Sequence, residues 1–285
     1  MSNSRTNRKE IAKETLRIIE SGWYQTPSGE KVSIREMQQL AYEGSIDYES
    51  DGFSEVLAKV AELRGGHETV FEVANETTYA ASRRLLNEGA EEVVCLNFAS
   101  AKNPGGGFLN GSQAQEEALC RASGLYPCLE KFMDTYYAVN RRNGSCIYTD
   151  HLMYTPSVPV FRDDEDVLVA PVIPVSVVTS PAVNAGAIKS RERSHVDSAM
   201  ILRTRKVLAV MAAHGHRNIV LGAWGCGVFR NDPANVAGYF AQLLGEGGEF
   251  EGVFAKVAFG VLDREKSERT LKPFLNVFAG AASIA

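Results

Sequence analysis

Apolar and polar positions divide the chain into a helical start and a longer part in which strands and helices alternate. Residues 5–21 place isoleucine and leucine among charged side chains at helical spacing, which predicts an amphipathic helix. Residues 22–66 mix short helical patterns with polar loops. Beyond them, the predicted strands cover residues 68–73, 93–98, 146–154, 167–178, 218–221 and 256–262. The predicted helices cover residues 77–87, 113–141, 197–214, 233–244 and 267–278. The helix over 113–141 is expected to break near Gly124 and Pro127.

The alternation of strands and helices indicates the fold class. It is typical of an α/β sandwich whose central sheet is largely parallel or mixed. No linker rich in proline or serine divides this part, so we predict one α/β domain over residues 66–285, preceded by a helical extension over residues 1–65. In sheets of this kind ligands bind at the carboxyl ends of the strands, and two glycine-rich segments fall there.

The composition indicates a globular protein and argues against nucleic-acid and membrane partners. Hydrophobic residues make up 45% and charged residues 23% of the chain, which is ordinary for a globular protein. The net charge of −5 argues against a protein that coats nucleic acid, so we expect no direct nucleic-acid partner. The start of the chain is polar and the longest apolar stretch, 167–179, is too short to span a bilayer, so we expect no membrane association.

Cysteines and histidines indicate a reducing compartment and no metal. The five cysteines form no CxxC pair and leave an odd thiol, as expected of reduced thiols in a cytoplasmic protein. The five histidines show no HExxH or other ligand spacing, so we expect no metal site.

The first glycine-rich segment is N-P-G-G-G-F-L-N-G-S-Q-A-Q-E-E, which starts at Asn103 after a predicted strand and leads into a helix. Gly105, Gly106 and Gly107 give a backbone that can adopt positive φ and approach a ligand closely. A mobile surface turn is the alternative, because glycine runs are common in loops.

The helix that follows begins with Gln115, Glu116 and Glu117. Adjacent residues on a helix point about 100° apart, so one glutamate can face a cleft while its neighbour reaches another part of the same ligand. This spacing does not suit two carboxylates opposed across one glycosidic bond. The alternative is plain capping, since the helix dipole favours carboxylates in the first turn.

The second glycine-rich segment is L-G-A-W-G-C-G-V-F-R-N-D-P, again between an apolar strand and a helix. Gly222, Gly225 and Gly227 can present successive N–H groups to an anion. The segment is neither a GxGxxG fingerprint nor a P-loop, and Asp232 with Pro233 predicts a helix N-terminus. An ordinary strand-to-helix turn is the alternative.

GGG, a short spacer and QEE together resemble the catalytic loop of poly(ADP-ribose) glycohydrolases. The text N-P-G-G-G-F-L-N-G-S-Q-A-Q-E-E-A-L-C-R-A-S looks most like the compact bacterial and fungal-type branch of that family. That branch is built on a macrodomain, a three-layer α/β/α sandwich with a mixed sheet that binds ADP-ribose. The resemblance covers about residues 66–275 and is densest at 97–123 and 219–233, and it implies the same fold here.

The resemblance also implies roles for residues of both segments. Glu117 would be the general acid/base, Glu116 would hydrogen-bond the ribose hydroxyls beside the scissile bond, and Asn103 would bind the distal ribose. Phe229 matches the aromatic residue that packs on that ribose, with core packing as the alternative. The other implied substrate contacts are Gly105, Gly106, Gly107 and Gln115 in the first segment and Gly225, Cys226, Gly227 and Val228, which would hold the diphosphate, in the second.

Glu76 and Thr77 lie between a predicted strand and a predicted helix, at the place where macrodomains recognise adenine. The resemblance makes either residue a candidate adenine contact. A helix N-cap formed by Asn75 or Thr77 is an equally good explanation of the same residues.

The reaction that the resemblance implies is hydrolysis of the ribose–ribose O-glycosidic bonds of poly(ADP-ribose), with ADP-ribose as product. The reaction passes through an oxocarbenium-like state, so a proton must reach the departing oxygen, and a glutamate buried under the glycine loop can have a raised pKa suited to that step. The same carboxylate would then activate water, with no metal or organic cofactor. The partners would be poly(ADP-ribose) or ADP-ribosylated proteins, and the enzyme would be cytoplasmic and serve the DNA damage response.

Other classes of function stay open from the sequence. A non-catalytic reader of ADP-ribose would keep both loops, although the intact Glu116–Glu117 pair speaks against it. A hydrolase of mono-ADP-ribosyl groups on protein, or of a different nucleotide-linked glycoside, would keep the loops and the carboxylates.

Overall fold

A computed structural model describes residues 4–278 as a seven-stranded mixed sheet between two layers of helices, with a separate two-stranded hairpin. The strands are β1 (Trp23–Gln25), β2 (Lys31–Ser33), β3 (Ile46–Tyr48), β4 (Val70–Ala74), β5 (Val93–Phe98), β6 (Leu152–Arg162), β7 (Leu168–Ser180), β8 (Asn218–Leu221) and β9 (Lys256–Gly260). The α-helices are α1 (Arg5–Ser21), α2 (Arg35–Glu43), α3 (Ser54–Leu63), α4 (Thr78–Asn87), α5 (Gln115–Ala122), α6 (Leu125–Glu130), α7 (Ala138–Arg142), α8 (Val196–Ala213), α9 (Pro233–Leu244) and α10 (Leu271–Phe278).

The order of strands in the main sheet is β3-β6-β7-β5-β8-β9-β4. The five strands from β7 to β4 run parallel to one another, whereas β6 pairs antiparallel with β7 and β3 pairs antiparallel with β6. The carboxyl ends of five strands therefore meet at one edge of the sheet, which is where an α/β sheet binds its ligands.

Strand β5 shows how the sheet is buried on both faces. Val94 and Leu96 pack toward α3, α8, α9 and α10, while Val93 and Cys95 pack toward α4, α5 and α6. Because both faces are covered, this strand is a continuous apolar run rather than an alternating one. The layers are helix, sheet and helix, as the sequence predicts.

Most predicted elements are confirmed with small shifts at their ends. The helix over 5–21 is α1, and the strand over 218–221 and the helix over 233–244 match β8 and α9 residue for residue. The region 22–66 contains the expected short helices α2 and α3, but also three short strands that its polar composition does not predict.

The strand predicted over 146–154 is wrong in its first part, because β6 begins only at Leu152. The preceding residues bend around the Arg203 guanidinium, which is fully buried and donates hydrogen bonds to the Ile147 carbonyl and the Asp150 carboxylate. Tyr148 in this bend adopts a φ of +64°. A backbone wrapped around a buried cation cannot also lie extended in the sheet.

The helical stretch predicted over 113–141 breaks at Ser123 and Gly124, as expected, but not at Pro127. Pro127 lies inside the first turn of α6. The N–H groups of a first turn have no partner within the helix, so a proline there costs no hydrogen bond. A π-helical turn at Met133–Tyr137 and then α7 complete the stretch.

The predicted extension is joined to the rest of the fold through strand β3. This strand, at residues 46–48, pairs with β6 at the edge of the main sheet. The boundary at residue 65 therefore stays a prediction, and the first three residues of the predicted extension and the last seven of the predicted domain lie outside the described residues. Within residues 4–278, no helix is both long and apolar enough to cross a membrane.

Two histidines beneath β3 help to hold that strand. His214 Nε2 hydrogen-bonds the Tyr48 hydroxyl at 2.8 Å, and the His214 ring stacks on Tyr154 of β6 at 3.5 Å between ring centroids. The Tyr154 hydroxyl in turn bonds His216 Nε2 at 2.9 Å. Burial lowers the pKa of both histidines, that of His216 to about 4.

We expect acid to weaken the fold through His216. The unfolded side chain takes a proton near pH 6.5 and the folded one only near pH 4, so the unfolded state binds more protons in between. As the pH is lowered from about 6.5 to about 4, the free energy of unfolding should therefore fall, by at most about 1.4 kcal/mol per pH unit from this group. His216→Gln keeps an acceptor for the Tyr154 hydroxyl but cannot titrate, so urea unfolding should depend less on pH.

The matched control for this variant is His195→Gln, because His195 is exposed. The control should show the pH dependence of the parent. An identical slope for His216→Gln, His195→Gln and the parent would contradict the role of His216.

Candidate active site

Both glycine-rich segments leave the sheet at the carboxyl ends of neighbouring parallel strands. The first follows β5, which ends at Phe98, and the second follows β8, which ends at Leu221. Because β5 and β8 are paired in register from Val93 and Asn218 onward, the two loops emerge side by side. The topology thus brings together two segments that are more than a hundred residues apart in the chain.

The first loop needs glycine at Gly106 for two reasons. Its φ is +57°, in the left-handed region that favours glycine. A Cβ atom at this position would also lie 2.6 Å from Glu117 Oε1, far inside contact distance. The backbone of the loop therefore rests directly against a carboxylate of α5.

Glu117 and Glu116 are held from two sides of this loop. The Glu117 side chain is 8% exposed, and its Oε1 accepts a 2.8 Å hydrogen bond from the Gly107 N–H. Glu116 is 3% exposed, and its Oε2 accepts a 2.7 Å bond from the Ser100 N–H, while Oε1 lies 3.4 Å from Asn97 Nδ2. Two buried carboxyl groups are thus satisfied largely by backbone donors.

The burial has an electrostatic consequence at Glu116. Removal from water raises the pKa of Glu116 to about 8, despite the hydrogen bond from the Ser100 N–H, and the neighbouring Glu117 carboxylate adds to the rise. At neutral pH Glu116 therefore holds its proton. Burial under the glycine loop thus raises the pKa of a glutamate, as the sequence led us to expect, and that glutamate is Glu116.

Gln115 fixes the start of α5 against the sheet. Its side-chain Oε1 accepts from the Phe98 N–H at 2.8 Å, and its Nε2 donates to the Leu96 carbonyl at 2.8 Å and to Thr78 Oγ1 at 3.0 Å. These three bonds tie the first turn of α5 to β5 and α4. The residues that follow, Glu116 and Glu117, are positioned by this attachment.

The second loop is anchored by its buried members. Trp224 is fully buried, and its Nε1 donates to the Ser180 carbonyl at 3.1 Å. Gly225 has a φ of +75°, and a Cβ there would collide with Ala182 and with the Asn231 amide. Asn231 Nδ2 donates to the carbonyls of Val183 and Gly225. The loop is therefore clamped against the segment that follows β7.

The outer part of the second loop carries unused N–H groups. Among residues 4–278, no acceptor is bonded to the N–H of Gly227, Val228 or Phe229. A Cβ at Gly227 would meet open space, and Val228 is largely exposed. Successive free N–H groups of this kind form an anion-binding concavity. Asp232 caps α9 and Pro233 begins it, as predicted.

Two adjoining cavities open between the loops. The cavity between the two glycine loops, here the glycine cavity, has a volume of about 920 Å³ and contains Glu116, Glu117 and Phe229. The predicted site residues that also line it are Asn103, Gly106, Gly107, Gln115, Gly225, Gly227 and Val228. The second cavity, here the side cavity, has a volume of about 840 Å³ and is lined by Glu76, Thr77, Gln115, Cys226 and Gly227 among the predicted residues.

Gly105 is the predicted contact that lines neither cavity. Its φ is +65°, and a Cβ there would lie 2.9 Å from the Tyr126 ring and 3.2 Å from Cys120 Sγ. Its place in the loop is on the side of the protein core. Phe229 is half-buried, and its ring lies 6.0 Å from that of Tyr148, so one face packs on protein while the residue still lines the glycine cavity.

Glu76 and Thr77 both have partners in the protein. Thr77 is the N-cap of α4, accepting from the Ala80 N–H, and its hydroxyl also donates to Asp164 Oδ1 at 2.7 Å. Glu76 forms an ion pair of 2.9 Å with Arg84. The capping explanation of Thr77 is therefore confirmed, and both residues nevertheless line the side cavity.

Cys226 places a sulfur atom in the wall of the side cavity. The side chain is half-buried, and burial raises its pKa to about 12. The group is therefore a neutral thiol at physiological pH, suited to packing against a ligand rather than to nucleophilic attack.

The sequence did not single out the wall that follows β9. Leu262, Arg264 and Thr270 line the side cavity from this third loop. Asn75 and Asp263 hold the loop through a reciprocal pair of bonds, in which Asn75 Nδ2 donates to the Asp263 carbonyl and Asn75 Oδ1 accepts the Asp263 N–H. The loop has no glycine run, and the adjacency of β9 to β8 is visible only in the folded sheet.

Comparisons with known proteins agree with this geometry. The chain matches the family model of the microbial-type PARG (poly(ADP-ribose) glycohydrolase) catalytic domain over residues 12–163. It is similar to the solved structure of poly(ADP-ribose) glycohydrolase from Thermomonospora curvata, with 45% identity, 96% of this chain and 100% of that chain covered and a TM-score of 0.90. No match was found among curated proteins.

Two further solved structures carry ligands. The Thermomonospora curvata protein bound to the inhibitor ADP-HPD is 46% identical, with coverage of 95% of this chain and 99% of that chain and a TM-score of 0.88. The poly(ADP-ribose) glycohydrolase of Deinococcus radiodurans in complex with ADP-ribose is 46% identical, with 85% and 97% covered and a TM-score of 0.81. The similarity confirms the macrodomain-like α/β/α sandwich.

The raised pKa of Glu116 predicts a cost in stability. Unfolded Glu116 loses its proton near pH 4.5, whereas the folded residue loses it only near pH 8. Between these values the folded state binds more protons than the unfolded state. The free energy of unfolding therefore falls as the pH rises through this range. Glu116→Gln keeps an acceptor for the Ser100 N–H and removes the titration. Its melting temperature should exceed that of the parent by a margin that grows from about pH 5 to about pH 8. Glu246→Gln, at an exposed position, should show no such margin.

Gly106→Ala should displace the Glu117 carboxylate. The added Cβ cannot coexist with Oε1 at 2.6 Å, and a shift of this size at the predicted acid/base group should cost on the order of 100-fold in rate. The control is Gly89→Ala, since Gly89 has a φ of +97° with open space around a Cβ and so places an alanine at positive φ without the collision. Equal rates of ADP-ribose release by the two variants would contradict the proposed contact.

Proposed function

The chain belongs to the family of microbial-type poly(ADP-ribose) glycohydrolases, and we propose that Glu117 is its general acid/base residue. It is a glycoside hydrolase that cleaves the ribose–ribose O-glycosidic bonds of poly(ADP-ribose) and releases ADP-ribose. Among the alternatives that the sequence left open, family membership favours this enzyme over a non-catalytic reader. The roles of individual residues are the substance of the proposal.

The single observation that supports Glu117 is its position between the two loops. Its carboxylate lies against Gly106, accepts the Gly107 N–H and faces the cavity that Gly225–Phe229 close from the other side. A carboxylate pointing into solvent, away from the second loop, would have excluded the role. The low exposure of Glu117, which still lines the glycine cavity, supports proton transfer to a substrate held there.

The chemistry needs one proton to leave the protein and return. Glu117 would protonate the departing ribose oxygen as the anomeric carbon becomes oxocarbenium-like, and would then take a proton from the attacking water. The proton would come from the buried pair, in which burial and the neighbouring Glu117 carboxylate raise the pKa of Glu116 to about 8.

Glu116 is proposed to hold the ribose hydroxyls beside the scissile bond. Its Oε2 is engaged by the Ser100 N–H at 2.7 Å, whereas the contact of Oε1 with Asn97 is longer, at 3.4 Å. The Oε1 side is therefore the better placed for a substrate hydroxyl. Asn103 and Phe229, which line the same cavity, would bind and orient the distal ribose.

The second loop is proposed to hold the diphosphate. The free N–H groups of Gly227, Val228 and Phe229 support this role, because they can donate to phosphate oxygens without breaking a bond within the protein. A fixed diphosphate would also stabilise the developing positive charge at the ribose. Adenine would then occupy the side cavity, where Glu76 or Thr77 would contact it.

We further propose that the enzyme is cytoplasmic and serves the DNA damage response. All five cysteines are free in the structure, and Cys95, Cys120 and Cys128 are buried, which is compatible with a reducing compartment. The part in the response to DNA damage rests on the resemblance to the family alone.

Glu117→Gln should separate binding from turnover. The amide keeps the size of the side chain and an acceptor for the Gly107 N–H but cannot transfer the proton, so the rate of ADP-ribose release from poly(ADP-ribose) should fall by at least about 100-fold. Calorimetric affinity for ADP-ribose should stay within about 3-fold of the parent. Glu246→Gln serves as the exposed control, and a Glu117→Gln rate close to that control would remove Glu117 from the mechanism.

A further inference from the structure

The N-terminal helix α1 contacts both parts of the catalytic apparatus, although it carries none of the site residues. We propose that α1 is a positioning element that fixes the distance between the glycine loop and the helix bearing Glu117. The inference rests on the proposed role of Glu117. It gives the extension a function in catalysis rather than in substrate binding.

The first contact joins α1 to the turn at the end of the glycine loop. Arg5 Nε donates to the Asn110 carbonyl at 2.9 Å, and Arg8 Nε donates to the Gly111 carbonyl at 2.9 Å. These carbonyls belong to a turn in which Phe108–Asn110 forms one short 3₁₀ helix. Two guanidinium groups one helical turn apart therefore hold two successive carbonyls.

The backbones of α1 and the turn also touch directly. Gly111 has a φ of +69°, and a Cβ there would collide with the Arg5 carbonyl oxygen and lie 3.0 Å from Lys9 Cγ. Only glycine fits between the turn and the helix at this point. The close approach leaves the turn little freedom to move toward α1.

Hydrogen bonds within the turn connect it to the Glu117 carboxylate through Gly107. The N–H groups of Asn110 and Ser112 both donate to the Gly107 carbonyl, at 3.0 and 3.1 Å. The Gly107 N–H, on the same residue, is the donor to Glu117 Oε1. One of the two peptide groups that α1 holds, Gly111–Ser112, is thus bonded directly to the residue that orients the acid/base group.

The second contact joins α1 to α5, which carries Glu117. Thr15 is fully buried, and its hydroxyl donates to the Arg121 carbonyl near the end of α5 at 2.7 Å. Arg121 Nη1 in turn donates to the carbonyl of Ser112, which follows the turn held by α1, at 3.1 Å. Helix α1 therefore bridges the donor side and the acceptor side of the Gly107–Glu117 hydrogen bond.

The second loop is separate from these contacts, and the side cavity meets them at Arg121, whose bond from Thr15 is left intact in the variants below. No residue of α1 lines the glycine cavity or the side cavity within the described part of the chain. Loosening α1 should therefore lower kcat while the affinity for ADP-ribose is retained. A merely structural role would lower both together, so the split between the two constants tests the proposal.

The first experiment replaces the glycine between helix and turn. Gly111→Ala should reduce kcat for release of ADP-ribose from poly(ADP-ribose) by at least about 10-fold, with calorimetric Kd for ADP-ribose within about 2-fold. Gly215→Ala is the matched control, because Gly215 has a φ of +85° and open space around a Cβ. A parent-like kcat for folded Gly111→Ala would overturn the proposal, as would an equal loss of kcat and affinity.

A second set of variants covers the case in which Gly111→Ala fails to fold. The double variant Arg5→Ala/Arg8→Ala removes both hydrogen bonds without placing any atom between helix and turn, and should lower kcat with Kd retained. Arg17→Ala, at an exposed position on the same helix, should behave as the parent. Arg8→Lys, which retains a donor, should recover part of the rate lost in Arg8→Ala. A double variant with parent-like kcat would overturn the proposal.

The outcomes separate this inference from the proposed function. If Glu117→Gln abolishes turnover while the α1 variants keep the kcat of the parent, only the role of α1 fails. If Glu117→Gln turns over normally, the acid/base assignment fails first and the inference falls with it.

Discussion

Burial of two adjacent carboxyl groups is the constraint on which the site depends. Glu116 and Glu117 are almost fully buried. Their carboxyl oxygens must therefore accept hydrogen bonds from donors of the protein instead of from water. The donors are mainly backbone N–H groups, those of Ser100 and Gly107, so the main chain itself has to pass within hydrogen-bond distance. That approach leaves no room for a side chain at Gly106. The glycine run, the α5 N-terminus and the attachment by Gln115 all follow from it.

Much of the fold was predictable because its core elements have strong local patterns. Strand β5 is an uninterrupted apolar run and α9 begins with an N-cap aspartate and a proline, so the sequence determines both without reference to the rest of the fold. The errors lie where distant residues override the local pattern. The apolar residues before Leu152 resemble a strand, but Arg203, about fifty residues further along, bends them into a loop. Strand β3 is only three residues long, and only its pairing with β6 makes it a strand.

The candidate site was predictable where its chemistry lies within one segment. GGG followed by QEE, and the interspersed glycines before Phe229, could be recognised from spacing, and the structure brings these residues to one pair of adjoining cavities. What could not be predicted depends on neighbours in space. The loop after β9 joins the site because β9 lies next to β8, and the raised pKa of Glu116 arises from how deeply that side chain is buried. Gly105 looked equivalent to its neighbours, yet it faces Tyr126.

The burial of Cys226 has a consequence for the reactivity of its thiol. Peroxide and electrophiles attack the thiolate form of cysteine, and a thiol whose pKa is raised to about 12 offers almost none of it. The pKa values of Cys95, Cys120 and Cys128 are raised by burial as well. The sulfur in the wall of the side cavity is therefore a poor target for oxidants that act through the thiolate.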